Sequence, residues 1–224
     1  MENVPIYLSL LFEVITFFTV WIFYKSTGGS KKTLVVLLAW LIAQGLIGLT
    51  GFYTKTDTLP PRIALLGLPA ILFIIGLFTT QRGKQFIDSL DLKTLTLLHT
   101  IRVGVELVLL GLFLQKVIPQ RMTFEGMNFD ILSGLSAPII YYFGFVRKVL
   151  NKKIILIWNF LCLGLLINIV VTAILSAPTP FQQFAFDQPN IAILYFPYVW
   201  LPCCVVPLVL LSHLAAIRQL TNNE

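Results

Sequence analysis

Three titratable side chains inside an otherwise apolar stretch carry the chemistry this chain offers. In residues 92–115, His99, Arg102 and Glu106 follow one another at steps of three and four. At about 100° per helical residue that gathers them within an arc of about 60° on one face, while Leu97, Ile101 and Val108 take the opposite side. An ion carried from water into hydrocarbon without a partner is unstable. Arg102 and Glu106, four residues apart, are therefore expected to face a protein interior or a wet cavity and to neutralise each other in part. Such a pair can bind a polar or anionic solute, relay a proton, or lock helix packing. Glu13 in the first apolar stretch is a further acceptor. If it takes up a proton, one positive and one negative charge remain, a neutral state suited to proton-coupled movement; a solvated outer end is its plainer reading.

A second set involves the two histidines. His99 and His213 could act as acid and base towards a lipid or quinone-like substrate, or ligate a metal or haem from two helices. No third ligand and no His-x-x-His spacing accompanies them, so a hydrogen-bonding role is the plainer reading and no cofactor is expected. Cys203 and Cys204 sit between two prolines and read as small packing residues. There is no Gly-rich phosphate loop, no HExxH, and no supported Ser-His-Asp set.

The elements that must position these groups follow from composition. With 57% hydrophobic and only 12% charged residues, and a mean hydropathy of +0.87, the chain falls outside the soluble globular range. Apolar runs of about 20 residues, the length that crosses a hydrocarbon core of about 30 Å, recur along it. They predict an all-α polytopic membrane bundle, one integral-membrane domain over residues 1–224. Its seven transmembrane helices lie near 5–24, 33–52, 63–80, 92–115, 131–146, 154–175 and 191–217. The first segment carries Glu2 and lacks a basic leader and a small-residue cleavage pattern, so it reads as a span. Net charge is +6, but the cations lie in short loops, where they act as topology signals, and nucleic acid is not an expected partner. Eleven Lys and Arg fall on the loop set containing Lys25, Arg82, Arg147 and Arg218, against four on the other. This places the N-terminus outside and the C-terminus in the cytoplasm.

With that topology and a rise of about 1.5 Å per residue, Glu13, Gln44, Glu106, Tyr141, Tyr142 and Asn168 share a level near the midplane. His99 and His213 lie nearer the cytoplasmic end. Arg102, Glu106, Glu13, Gln44, Asn168 and a tyrosine from Tyr141 and Tyr142 are thus the expected lining of one ligand site. Lys31-Lys32 before Trp40 echoes Lys152-Lys153 before Trp158, and Leu68-Pro69 echoes Leu201-Pro202, which would suit a 3+1+3 arrangement of two parallel units around span 4.

The segments LHTIRVGVELVLLGLF, MTFEGMNFDILSGLSAPI, FQQFAFDQPN and YFPYVWLPCCVVPLVLLSHLAAIRQL resemble a group of seven-span bacterial membrane proteins to which no function is assigned. The resemblance covers about the second half of the chain and implies a bacterial inner membrane; it carries no site residues. Seven spans also suggest a microbial rhodopsin, but a retinal Schiff base needs a lysine in the last span and residues 191–217 contain none. The expected function is a small-solute binding or transport protein with a buried Arg/Glu site, for which proton coupling is open. The alternatives are a membrane-embedded enzyme using His99 and His213, and a non-catalytic assembly or sensor subunit.

Overall fold

A computed structural model describes residues 4–222, so Glu2 lies outside it. The described residues form helices and turns, with no strand among them. The helices are α1 (Ile6–Ser26), α2 (Lys31–Leu49), α3 (Ala64–Thr79), α4 (Gln81–Asp88), α5 (Leu92–Leu98), α6 (Ile101–Leu114), α7 (Ile131–Tyr141), α8 (Lys152–Leu175) and α9 (Val206–Asn222). Among the described residues, five stretches are long and apolar enough to cross a membrane: Ile6–Ser26, Lys31–Leu49, Leu92–Leu114, Lys152–Leu175 and Leu201–Asn222. Ile6, Val14, Val35, Ile42, Leu161 and Ile167 stand exposed on the outer faces of α1, α2 and α8. Such a surface suits hydrocarbon rather than water.

The two remaining apolar segments are shorter than a full span. After its 16 residues the chain turns by 94° from α3 into α4, and a sixth candidate span is reached only when this bent pair is counted as one. The turn is possible because residue 83 is glycine, where a Cβ would run into the Leu77 backbone. The Thr80 hydroxyl caps α4 by accepting from the Gly83 N–H at 3.1 Å. The fifth segment is the short apolar helix Ile131–Val146, which widens to a π-helical turn over Tyr142–Val146. The last segment begins later than expected. Of residues 191–217, the first ten form a largely buried irregular run with a single 3-10 turn, because Pro197 and Pro202 withhold the N–H groups a helix needs. Regular structure starts with a π-helical turn at Leu201–Val205. The two expected repeat units are therefore unequal: α3 turns away where Leu201–Asn222 runs on for 22 residues.

Helix α6 packs against α1 and α7, and its glycines set how closely α1 approaches. A Cβ on Gly104 would stand 2.9 Å from the Ile15 side chain and one on Gly111 would stand 2.5 Å from Leu8, so α1 packs directly on the α6 backbone. On another side, a Cβ on Gly134 of α7 would be 2.8 Å from the Val103 backbone nitrogen and 3.3 Å from the Arg102 Cβ. Close approach at small residues is how apolar helices gain packing energy without a hydrophobic drive between them. Between α5 and α6 the helix tightens into i→i+3 bonds, with His99 N–H to Thr96 O at 3.3 Å and Thr100 N–H to Leu97 O at 3.0 Å. His99 sits in that break.

Candidate functional site

Helix α6 presents Arg102 to the interior, where it is only 2% exposed. Its partner is not Glu106 but Asp130, the residue just before α7. Arg102 Nε donates to Asp130 Oδ2 at 2.6 Å, and Nη2 donates to Asp130 Oδ1 in a two-pronged ion pair. Nη2 also donates to the Cys162 carbonyl of α8 at 3.2 Å, and Nη1 meets His213 Nε2 of α9 at 3.0 Å. One guanidinium thus ties together α6, α8, α9 and the segment leading into α7. Of its five hydrogens these contacts take four, and one on Nη1 has no acceptor among the described residues.

The roles of the histidine nitrogens follow from their partners. A guanidinium only donates, so His213 Nε2 accepts and its Nδ1 carries the hydrogen, donating to Asn159 Oδ1 at 2.9 Å. Asn159 Nδ2 in turn donates to the Ile155 carbonyl at 2.9 Å. His99 stacks on His213 with ring centroids 3.8 Å apart and planes 14° from parallel, and Trp158 closes against both rings. Histidine lone pairs lie in the ring plane, so two stacked rings send them in nearly parallel directions and not to a shared metal position. Both His213 nitrogens are already engaged.

Glu106 is 1% exposed and held by Asn128, whose Nδ2 donates to Glu106 Oε1 at 2.6 Å and to the Met122 carbonyl at 3.0 Å. Asn128 Oδ1 accepts from the Asp130 N–H at 3.1 Å, so the amide orientation is fixed by groups that can act in only one way. The second carboxyl oxygen, Oε2, is buried and has no hydrogen-bond partner. The stretch between α6 and α7 thus folds back into the bundle instead of lying outside it as a polar loop. It supplies Asn128 and Asp130, and Ile118, Met122 and Thr123 are all buried.

Arg102, Glu106 and Asp130 line a cavity of about 450 Å³ between α3, α6, α8 and the start of α9. The rest of its wall is almost wholly apolar, with Gly67, Leu68, Leu166, Val170, Ala173 and Val205 among its residues. Helices α3 and α8 flank it, each packed on α9. Thr179 and Phe181, from the run after α8, close one end. That run is anchored by Asn190 N–H to the Ser176 carbonyl at 2.8 Å and by Asn190 Nδ2 to the Ala173 carbonyl at 3.2 Å.

Among the residues expected to share one site, only Arg102 and Glu106 do so. Glu13 is half-buried on α1 and close to Tyr198, away from the cavity wall. Gln44 accepts from the Tyr53 hydroxyl at 2.5 Å and donates to the Leu65 carbonyl at 3.5 Å. That carbonyl lies four residues before Pro69, the position a proline leaves without its helical N–H. Asn168 is exposed and donates to the Met127 carbonyl at 3.1 Å, pinning the infolded stretch from outside. Tyr141 and Tyr142 lie where α7 passes into its π-helical turn, and the Tyr142 hydroxyl accepts from Arg147 Nε at 2.9 Å. His99 and His213 stand behind Arg102, and neither lines the cavity. Asp130, Asn128 and Asn159 were not expected in the site; the one available hint was the placing of Asp130 and Asn128 close together in a polar stretch beside a short span.

Comparison with known proteins bears on the same region. A family model described as a domain of unknown function, DUF8737, matches residues 59–221. No curated protein and no solved structure matches the chain. The matched stretch holds His99, Arg102, Glu106, Asn128, Asp130, Asn159 and His213, and begins after α2. On that match, which takes in most of its length, the chain belongs to the DUF8737 family.

Proposed function

We propose that the chain is a seven-segment protein of the bacterial inner membrane, with its N-terminus outside and its C-terminus cytoplasmic, that binds one amphiphilic ligand in the cavity between α3 and α8. One observation carries the reading: an apolar cavity of about 450 Å³ has Glu106 among its lining residues, and the Oε2 of that carboxyl group is buried without a partner. The volume falls within the roughly 300–1,000 Å³ of small-molecule sites, which pair apolar walls with a few placed polar groups. The apolar walls take a hydrocarbon body and the Arg102–Glu106 end takes a polar terminus. In this reading the ligand enters from the bilayer, past the exposed apolar faces of α3 and α8. A small anion fits this site less well, because Asp130 already balances the charge on Arg102. Binding is supported over histidine-based catalysis because both imidazoles lie off the cavity wall.

Filling the cavity away from its ionic end tests this. Ala173→Phe narrows the apolar part, and Leu161→Phe, on an exposed face of the same helix, is the control. Native mass spectrometry of protein extracted from membranes should show about one retained amphiphile per wild-type and Leu161→Phe chain, and a loss of at least several-fold for Ala173→Phe. Equal retention by a folded Ala173→Phe protein would remove the cavity as the binding site.

A further inference from the structure

We infer that the polar end of the ligand is a single hydroxyl group, held between Arg102 and Glu106; this rests on the amphiphile reading above. Two residues of the wall keep unused valences of opposite kind. Arg102 keeps one Nη1 hydrogen, a donor, after Asp130, Cys162 and His213 have taken the others. Glu106 keeps Oε2, an acceptor when the group is a carboxylate, after Asn128 has fixed Oε1. A hydroxyl is the smallest group that accepts one hydrogen bond and donates another, so it satisfies both at once.

Charge and space select against the other common termini. A carboxylate or phosphate would accept from Arg102, but it would face the carboxyl groups of both Glu106 and Asp130, with one guanidinium among them already paired. An ammonium would suit Glu106 but stand against the Arg102 charge. An ether or ester could accept from Arg102 yet would leave Glu106 Oε2 unpaired in an apolar wall. The two groups are also recessed, with 2% of Arg102 and 1% of Glu106 exposed. A terminus of one or two atoms reaches them where a bulky headgroup does not. The ligand class is therefore a long-chain or polycyclic alcohol, with the hydroxyl at the end of an apolar body.

The test is a series with one chain and four ends. Protein in nanodiscs is equilibrated with tritiated 1-hexadecanol, and unlabelled 1-hexadecanol, hexadecyl methyl ether, hexadecanoic acid and hexadecylamine compete. The alcohol should compete about tenfold better than the ether, the difference expected for loss of one hydrogen bond to a charged group, and better than the acid and the amine. Glu106→Leu should bring the alcohol down to the level of the ether while leaving the ether unchanged. Alcohol and ether competing equally in the wild type, or acid or amine surpassing the alcohol, would overturn the hydroxyl assignment. If that binding is still lost in Ala173→Phe, the amphiphile site stands without it. No saturable binding of the alcohol and no displacement by any competitor would remove the hydroxyl assignment and the amphiphile reading together.

Discussion

Two interior polar systems meet the last span, and they are built in reverse. Towards α2, neutral side chains serve the backbone. Trp40 Nε1 donates at 2.8 Å to the carbonyl of Cys203, four residues before Pro207, and Gln44 does the same for the carbonyl before Pro69. Trp200 Nε1 donates back to the Leu41 carbonyl at 2.9 Å. Towards α8, the backbone and the infolded stretch serve the side chains: the Cys162 carbonyl, Asn128, Asp130 and Asn159 converge to hold Arg102, Glu106 and His213. In the first system, polar side chains supply the donors that prolines withhold from α3 and the last span. In the second, the groups are held with hydrogen-bonding capacity to spare. A polar residue in an apolar span is thus identified by what remains unpaired once its neighbours are counted, rather than by its own type.

The largest difference between the two systems should appear when a partner is removed. Asp130→Leu leaves Arg102 buried with no counter-charge, which destabilises by about 3–5 kcal/mol. Denaturant-dependent unfolding in mixed micelles should show most of the protein unfolded under conditions where the wild type is folded. The double variant Arg102→Met with Asp130→Leu removes both charges and should regain much of the loss. Gln44→Leu removes a neutral contact and should cost about 1 kcal/mol. Equal effects for Asp130→Leu and Gln44→Leu would erase the distinction.

The sequence held half of this contrast. The helical face shared by His99, Arg102 and Glu106 is a local property of spacing, and Arg102 and Glu106 line the same cavity while His99 packs behind them. The pairing was not legible, because two partners four residues apart are visible along the chain whereas Asp130 reaches Arg102 only by folding the preceding stretch into the bundle. With Asn128 and Asp130 in it, that stretch reads as too polar to span, and nothing in its spacing shows which side chains turn inward. Gln44 and Asn168 resembled cavity residues for the opposite reason: an amide in an apolar span has one appearance whether it meets a ligand or a carbonyl. The start of the last helix was misplaced because its hydropathy is continuous through Pro197 and Pro202 while its hydrogen bonding is not.

The repair system can be sharpened by a double-mutant cycle. Trp40→Phe deletes the N–H that reaches the Cys203 carbonyl and should destabilise by about 1 kcal/mol. Pro207→Ala supplies a backbone N–H that can reach the same carbonyl in α-helical register. In that background Trp40→Phe should lose most of its effect, a coupling read from unfolding free energies of the four proteins. Additive effects would mean that Trp40 acts through ring packing alone.

The smallest effect separates the buried ion pair from its exposed counterpart. Arg218 Nε and Nη2 donate to the two carboxyl oxygens of Asp88 at 2.8 and 2.9 Å, joining α9 to the short helix α4, with the Asp88 side chain 44% exposed. The hydrogen bonds from Arg218 hold the Asp88 carboxyl below its ordinary value, against a weaker opposing effect of burial. A carboxyl lowered in the folded state contributes stability above its unfolded value of about 4, and the contribution disappears as pH falls through the lowered folded value. Wild type should therefore melt slightly above Asp88→Asn at pH 6, and the two should converge in acid below that folded value. Raising salt to about 1 M, where screening acts over about 3 Å, should narrow the pH 6 difference. Arg102 and Asp130, sealed from solvent, should give a penalty for Asp130→Leu that the same salt leaves largely unchanged. Matching salt responses would place water at the Arg102 pair and dissolve the contrast between a sealed ionic cluster and a solvated one.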